Sequence, residues 1–173
     1  MRPSALAFTL LALCSACPGG QTPATSSAAP ALQAFYDAYL PLFERGATRA
    51  FLDDTTSILA PSLRQALIAD YQASAADSTQ IVGLDFDPFL NSQDPCSVYR
   101  VGADTSHQEP HLIEVRAICA ADTSLAAIAV LERARTAWTL VDVRYPGDTI
   151  SLRGILARLA ADRSRPASTG PRS

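Results

Sequence analysis

The chain changes character at residues 84–96, Leu84-Asp85-Phe86-Asp87-Pro88-Phe89-Leu90-Asn91-Ser92-Gln93-Asp94-Pro95-Cys96. Acids, aromatics, two prolines and a cysteine are concentrated there. Before this stretch, large apolar side chains recur at helical spacing, whereas after it apolar and polar residues tend to alternate as in strands. The stretch is therefore predicted to be an irregular segment that joins a helical first half to a sheet-forming second half.

Upstream, six large side chains form one helical stripe, with spacings of three and one: Leu32, Phe35, Tyr36, Tyr39, Leu40 and Phe43. Such a stripe is typical of a helix that packs its aromatic face into a core. Gly46 is expected to end this helix, and Pro41 to kink or break it. A short helical piece is predicted over residues 49–56, and a longer helix that begins at Pro61.

Downstream, β-branched, aromatic and apolar runs are separated by turn-forming residues, which is typical of strands in antiparallel succession. The predicted strands cover residues 97–103, 112–120, 125–134 and 137–145. Leu152, Ile155, Leu156 and Leu159 then predict a short closing helix. The fold class expected is α+β, with N-terminal helices packed on a four-stranded antiparallel sheet in a single domain over residues 31–162, followed by a disordered tail at 163–173.

The composition excludes several classes of function. The chain has 173 residues, a formal net charge of −3 and no lysine. Without lysine it cannot form a Schiff base, and without a basic excess it has little with which to hold a phosphate backbone. We expect no nucleic-acid partner.

The N-terminus indicates export. Residues 1–17 combine Arg2 with a short apolar run, which suits a secretory signal peptide better than a permanent membrane span. The end of this segment resembles the lipobox of bacterial lipoproteins and predicts lipidation at Cys17, with Cys14 or plain secretion as the alternatives. Residues 18–30 are then expected to be a flexible tether. By the same resemblance, Pro18 after the cysteine favours anchoring in the outer membrane, facing the periplasm.

The remaining two cysteines, Cys96 and Cys119, are expected to form a disulfide, because export places them in an oxidising compartment. The residue numbers sum to 215. In a hairpin, the numbers of facing residues add up to a constant. A sum of 215 would set the two cysteines directly opposite each other, with Val98 opposite Ala117 and Tyr99 opposite Arg116.

The central stretch could bind an ion or could be structural. Its possible binding or structural residues are Asp85, Asp87, Gln93 and Asp94. A helix-loop-helix calcium site would need further oxygen ligands and a glycine, where this chain has Pro88 and the apolar Phe89 and Leu90. Acidic side chains that cap turns through local hydrogen bonds are the favoured interpretation, and no metal or cofactor is expected.

Zinc and nucleophilic catalysis have less support. His107 and His111 lie around Pro110 in a predicted hairpin loop, where their spacing does not place both rings on one face, and exposure to solvent is expected. No serine lies in a nucleophile elbow, and there is no glycine-rich phosphate loop.

Asp142 is the acid inside the last predicted strand. Alternation places it on one face with Trp138, Leu140 and Arg144. If that face lines a cavity, Asp142 is a candidate base with a raised pKa. If it faces water, which we favour, Asp142 and Arg144 form only a solvated pair.

Four stretches resemble an uncharacterised family of exported bacterial lipoproteins with the nuclear-transport-factor-2-like (cystatin-like) fold: residues 63–67, 85–94, 138–145 and 151–156. The Asp-x-Asp-Pro-Phe run with its following Gln-Asp is the most specific of them. The resemblance implies a strongly bent sheet that forms a cone with the helices. It implies no activity, because a fold alone does not define one.

Three functions follow as hypotheses. The first is a non-enzymatic lipoprotein, anchored to the bilayer by its acyl chains, that binds a small apolar ligand or another envelope protein. The second is an immunity-type inhibitor of a toxin that acts in the periplasm. The third is an isomerase- or hydratase-like enzyme that uses Asp142 or an acid of residues 85–94 as its base.

Overall fold

The computed structural model describes residues 27–76, 82–135 and 137–165. The predicted signal peptide with Cys14 and Cys17, most of the predicted tether and most of the predicted tail lie outside these residues. The described residues form four helices and one four-stranded antiparallel sheet, which confirms the α+β class. Within the described residues, no helix is long and apolar enough to cross a membrane.

Helix α1 spans Ala28–Glu44 and buries the predicted aromatic stripe, including Phe35, Tyr36 and Tyr39. It begins inside the predicted tether, whose last three residues are helical, and Ala28 is fully buried. The tether boundary was wrong because small alanines and Pro30 suit the first turn of a packed helix. The helix runs without a break through Pro41 and ends before Gly46, which has a φ of 65°.

Two further helices complete the first half. Helix α2 spans Thr48–Asp53, and helix α3 spans Pro61–Ala76, beginning at the predicted proline. After α2, the Asp54 carboxylate accepts hydrogen bonds from the backbone N–H and the hydroxyl of Thr56. This local pairing competes with helix continuation and explains why α2 ends earlier than predicted.

The sheet has the strand order β1-β2-β3-β4. Its strands lie close to the predicted positions: β1 at Val98–Val101, β2 at His111–Cys119, β3 at Asp122–Ala134 and β4 at Ala137–Arg144. Two bulges interrupt the ladders, one opposite Val115 and Arg116 and one opposite Val130 and Leu131. Bulges bend strands and increase their twist.

The predicted disulfide between Cys96 and Cys119 is confirmed, with the two Cα atoms 4.9 Å apart. The predicted register is wrong by one residue, because Tyr99 lies opposite Ala117 and Val98 opposite Ile118. Tyr99 and Ala117 are both buried, whereas the predicted partner Arg116 is exposed. A one-residue slip would turn buried side chains to the opposite face of the sheet, so the burial of Tyr99 and Ala117 determines the register. The two cysteines therefore form their bond although they do not lie directly opposite each other.

Both outer strands have backbone groups covered by other parts of the chain. On β1, the side-chain amide of Gln33 accepts from Val101 N at 2.9 Å and donates to Tyr99 O at 3.2 Å. On β4, Leu140 exchanges two backbone hydrogen bonds with residues 58–60. Covered edges are less able to pair with another strand.

Helix α4 spans Leu152–Arg163, buries Leu152 and Leu156 and packs against α3 and β4. The tail was predicted to begin at residue 163, but Arg163 is the last helical residue and its side chain makes a long-range ion pair with Asp70. The two residues of this pair are 93 positions apart in the sequence. The polar, Pro-containing composition of residues 163–173 gives no sign of such a distant contact.

Candidate functional site

Asp87 organises the central segment through local hydrogen bonds. Its Oδ1 accepts from the backbone N–H groups of Phe89 and Leu90, both at 3.0 Å. Its own N–H donates to Ser92 O at 3.0 Å, and its carbonyl accepts from Asn91 N at 2.8 Å. A carboxylate that accepts from N–H groups two and three residues later stabilises a turn. This geometry supports the structural interpretation of Asp87.

Four tyrosines from other parts of the chain donate hydrogen bonds to the same turn. We call Tyr36, Tyr39, Tyr99 and Tyr145 the tyrosine clamp. Three of their hydroxyls donate to consecutive carbonyls, those of residues 88, 89 and 90, at distances of 2.9, 3.0 and 3.2 Å. The hydroxyl of Tyr39 donates to Asp87 Oδ2 at 2.6 Å. Buried tyrosine hydroxyls need such partners, so the clamp fixes the turn to helix α1, to strand β1 and to the residue that directly follows β4.

The tyrosine clamp changes the electrostatics of Asp87. Burial raises the pKa of the Asp87 carboxyl above its ordinary value, while the hydrogen bonds from Tyr39, Leu90 and Phe89 act in the opposite direction. Burial also raises the pKa of Tyr39, and the adjacent carboxylate of Asp87 raises it further. The hydroxyl of Tyr39 is therefore a persistent donor to Asp87.

The other predicted residues of the segment lie apart from this turn. Asp85, Gln93 and Asp94 are exposed. The amide of Gln93 donates to the backbone carbonyl of Asp85 at 2.7 Å, and the N–H of Asp94 donates to the Ser92 hydroxyl at 3.0 Å. Asp87 is thus the one member of the predicted set that reaches the interior. Nowhere in ranges 27–76, 82–135 and 137–165 do three or more His, Cys, Asp or Glu side chains cluster as a metal site would require.

Asp87 and its neighbours form one wall of a cavity of about 340 Å³. Helices α1, α2 and α3 supply the other walls. Its apolar lining includes Phe43, Leu52, Leu67, Leu84, Phe86 and Phe89. The size is that of a small-molecule site, and such sites combine a mostly apolar surface with a few polar groups.

A second carboxylate, Asp70 on α3, lies at the same cavity and was missed by the sequence analysis. Its Oδ1 lies 2.6 Å from Nη1 of Arg163, and its Oδ2 accepts from Leu84 N at 2.9 Å. Arg163 also donates to Val82 O at 2.8 Å. A signal was present, because Asp70 continues the buried stripe of Leu63 and Leu67 at a spacing of three.

Gly83 lets the chain approach Asp70 closely. A Cβ atom at this position would meet the hydroxyl of Ser74 and would lie 2.8 Å from Asp70 Oδ2. A side chain there would displace the carboxylate that holds Leu84. The glycine is therefore required by packing at this end of the cavity.

Asp142 lies elsewhere, and its predicted orientation was wrong. The bulge between Val130 and Leu131 adds one residue to β4, so Trp138 and Leu140 are buried while Asp142 lies on the other face. Its Oδ1 accepts from Val143 N at 2.9 Å and from Arg153 N at 3.0 Å, in the first turn of α4. No ion pair joins Asp142 to Arg144 among the described side chains. Asp142 acts here as an acceptor for a helix N-terminus.

The two histidines differ in exposure. His107 is exposed, as expected, but His111 is half-buried as the first residue of β2. Nδ1 of His111 lies 2.8 Å from the carboxylate of Asp104, and its ring packs edge-on against Trp138 at a centroid distance of 4.7 Å. His111 therefore belongs to a local cluster at the end of the β1–β2 hairpin, away from the cavity.

Comparison of the chain with protein-family models, with curated proteins and with solved structures found no match in any of the three. The structural feature that bears on function is therefore the cavity. Its lining offers apolar and aromatic surface, two carboxylates already engaged by neighbouring groups, and the hydroxyl-bearing side chains Thr48 and Ser74. This arrangement is suited to holding a small molecule.

Proposed function

We propose that this protein is a non-enzymatic envelope lipoprotein that binds a small, largely apolar ligand in the cavity between helices α1–α3 and the central segment. The observation that carries the proposal is an apolar cavity of about 340 Å³ whose wall is held in place by the tyrosine clamp. A rigid wall favours binding, because little conformational freedom is lost when the ligand enters.

The arrangement of the polar groups supports binding over catalysis. Asp87 has an accepting role in a turn, and Asp142 accepts from the first turn of α4, so both candidate bases have structural partners. They also line different depressions of the surface. A proton-transfer mechanism would require a base directed at a substrate within hydrogen-bonding distance.

We further propose that the chain adopts the nuclear-transport-factor-2-like cone and belongs to the exported lipoprotein family that it resembles. Helices packed on a bulged four-stranded antiparallel sheet are compatible with this architecture. In this proposal Cys17 carries the acyl chains, and residues between it and α1 connect the domain to the outer membrane.

A matched pair of cavity and surface variants tests ligand binding. Thr48→Trp places a large ring at the cavity wall, whereas Thr139→Trp places the same ring in the separate depression on β4. With the neutral fluorescent probe Nile red, the parent and Thr139→Trp should show saturable binding, and Thr48→Trp should show at least a tenfold loss of affinity. Equal binding by all three proteins would contradict the proposal.

The anchor has its own test. Expressed in a Gram-negative host, the mature protein should partition into detergent and carry acyl chains at Cys17 by mass spectrometry. Cys17→Ser should abolish acylation, while Cys14→Ser should leave the mature product acylated. Acylation that survives Cys17→Ser but is lost in Cys14→Ser would move the anchor to Cys14, and an unmodified soluble N-terminus would refute lipidation.

A further inference from the structure

The two acidic side chains of the cavity differ in whether a positive charge compensates them. Asp70 and Asp87 both line it, and no arginine or histidine of the described residues does so. The negative charge of Asp70 is neutralised by Arg163, whose Nη1 lies 2.6 Å from Asp70 Oδ1. Among the described residues, the hydrogen-bond donors to the Asp87 carboxylate are all neutral: two backbone N–H groups and the Tyr39 hydroxyl. The uncompensated negative charge of this site is therefore at Asp87.

Aromatic rings line the same cavity as Asp87. Tyr39 and Phe89 pack edge-to-face with their centroids 5.0 Å apart, and Phe43 and Phe86 also line the cavity. Ring faces carry partial negative charge and attract cations, especially where water is excluded. Carboxylate and aromatic groups thus favour the same sign of ligand charge.

A second arginine, Arg49, lies next to Tyr71, which lines the cavity. Arg49 on α2 lies with its Cζ 5.2 Å from the centroid of the half-exposed Tyr71 ring. Its guanidinium also pairs with Asp53 at 3.1 Å, one helical turn away. The guanidinium of Arg49 is engaged by Tyr71 and Asp53, and no ion pair or hydrogen bond of the described residues joins it to Asp87.

From this charge distribution we infer that the occupant is an organic ammonium compound, with its cationic head at Asp87 and its apolar body along Leu52, Leu67 and Leu84. The inference rests on the proposed ligand-binding function and specifies the chemical class of the ligand. An ammonium group donates charge-assisted hydrogen bonds to a carboxylate, and Asp87 Oδ2 retains accepting capacity beyond its bond from Tyr39. A fatty acid or other anion would instead meet an uncompensated like charge.

Isothermal titration with a matched octyl series tests the class of head group. Octylammonium, octan-1-ol and octanoate share one apolar body and differ in charge. At pH 7 and constant ionic strength, we expect the mature protein to bind octylammonium about tenfold more tightly than octan-1-ol, as one charge-assisted hydrogen bond would provide. Octanoate should bind more weakly than the alcohol.

The outcomes separate the two proposals. Equal affinity for octylammonium and octan-1-ol, or a preference for octanoate, overturns the ammonium inference and leaves the apolar cavity as a ligand site. Binding of none of the three, together with no loss of Nile red binding in Thr48→Trp, overturns both.

Two variants locate the charge that is responsible. Asp87→Asn should reduce the preference for octylammonium over octan-1-ol to less than threefold, whereas Asp85→Asn, two residues away and exposed, should retain it. If Asp87→Asn does not fold, Tyr39→Phe serves instead, because it removes a donor and leaves Asp87 Oδ2 more available. Tyr39→Phe should keep or increase the preference, and its loss in that variant would contradict the inference.

Discussion

The two carboxylates at the cavity are held in opposite ways. Asp70 is almost fully buried and is balanced by the guanidinium of Arg163, with Leu84 N as a second donor. Asp87 is held by two backbone N–H groups and a tyrosine hydroxyl, all of them neutral. Asp70 is thus part of an internally compensated ion pair, whereas Asp87 is a half-buried acid with no ion-pair partner among the described residues.

This difference separates a purely structural acid from one that can also serve a ligand. When a buried charge has a partner of opposite sign within the fold, their attraction offsets the cost of removing the charge from water. A buried carboxyl with only neutral donors remains partly desolvated, which is why burial raises the pKa of Asp87. A cationic ligand would supply a positive charge beside Asp87.

The largest effect of a single substitution is expected at Asp70. Asp70→Ala should lower the free energy of unfolding by about 3 kcal/mol, because it leaves the half-buried Arg163 guanidinium and the Leu84 N–H without their acceptor. Chemical denaturation measures this. Asp162→Ala removes an exposed partner of Arg165 and is the matched surface control, with an expected loss below about 1 kcal/mol. Equal losses in the two variants would show that Asp70 is not the structural anchor.

The disulfide fixes the other end of the segment that carries Asp87. Cys96→Ala combined with Cys119→Ala opens a bond between residues separated by 23 positions, and the expected loss is about 3 kcal/mol. The double variant should melt several degrees lower but keep the octyl head-group preference, because neither cysteine lines the cavity. Free thiols in the native, air-purified protein, or a double variant as stable as the parent, would refute the role of the bond.

Asp87→Asn should have a smaller effect, of about 2 kcal/mol, since the amide oxygen keeps part of the turn while its hydrogen bonds lose their charge. The melting temperature should fall and should not respond to added calcium in either protein. Asp85→Asn is the control, because the Gln93 amide binds the backbone carbonyl of residue 85 and not its side chain. A specific calcium-dependent rise in the parent's melting temperature would establish a metal role for the segment instead.

The smallest effect is a pH dependence. In the folded protein the pKa of Asp87 is raised above its ordinary value of 3.8, so the folded state keeps the proton to higher pH than the unfolded state. The stability from this group is therefore fully present below 3.8 and is lost as the pH rises through the folded pKa. Relative to the parent, Asp87→Asn should be most destabilised at low pH. Urea denaturation of both proteins across this range measures the difference, and a deficit that grows with pH would mean a lowered pKa.

Local patterns predicted most of the fold. The stripe from Leu32 to Phe43 predicted α1, Pro61 marked the start of α3, and the four strands lie within a few residues of their predicted limits. These features depend on periodicity and on residues with restricted backbone conformations, which a sequence displays directly. The disulfide followed from the number of available cysteines.

The features that were wrong or missed depend on distant contacts. The register of β1 against β2 depends on burying Tyr99 with Ala117, and the orientation of Asp142 depends on a bulge. Asp70 finds its partner at Arg163, near the opposite end of the domain. In the same way, the aromatic stripe predicted a core but did not show that tyrosine hydroxyls would converge on residues 87–90. Such pairings are decided by packing in three dimensions.

Chemical-shift mapping tests the central claim most directly, because it reports where a ligand binds as well as whether it binds. When the ¹⁵N-labelled protein is titrated with octylammonium, the largest amide shifts should cluster at residues 84–90 and along the cavity side of α2 and α3. The amides of Phe89 and Leu90, which donate to Asp87, should be among them. Shifts confined to the depression around Asp142, or no saturable shifts in the parent protein, would contradict the account.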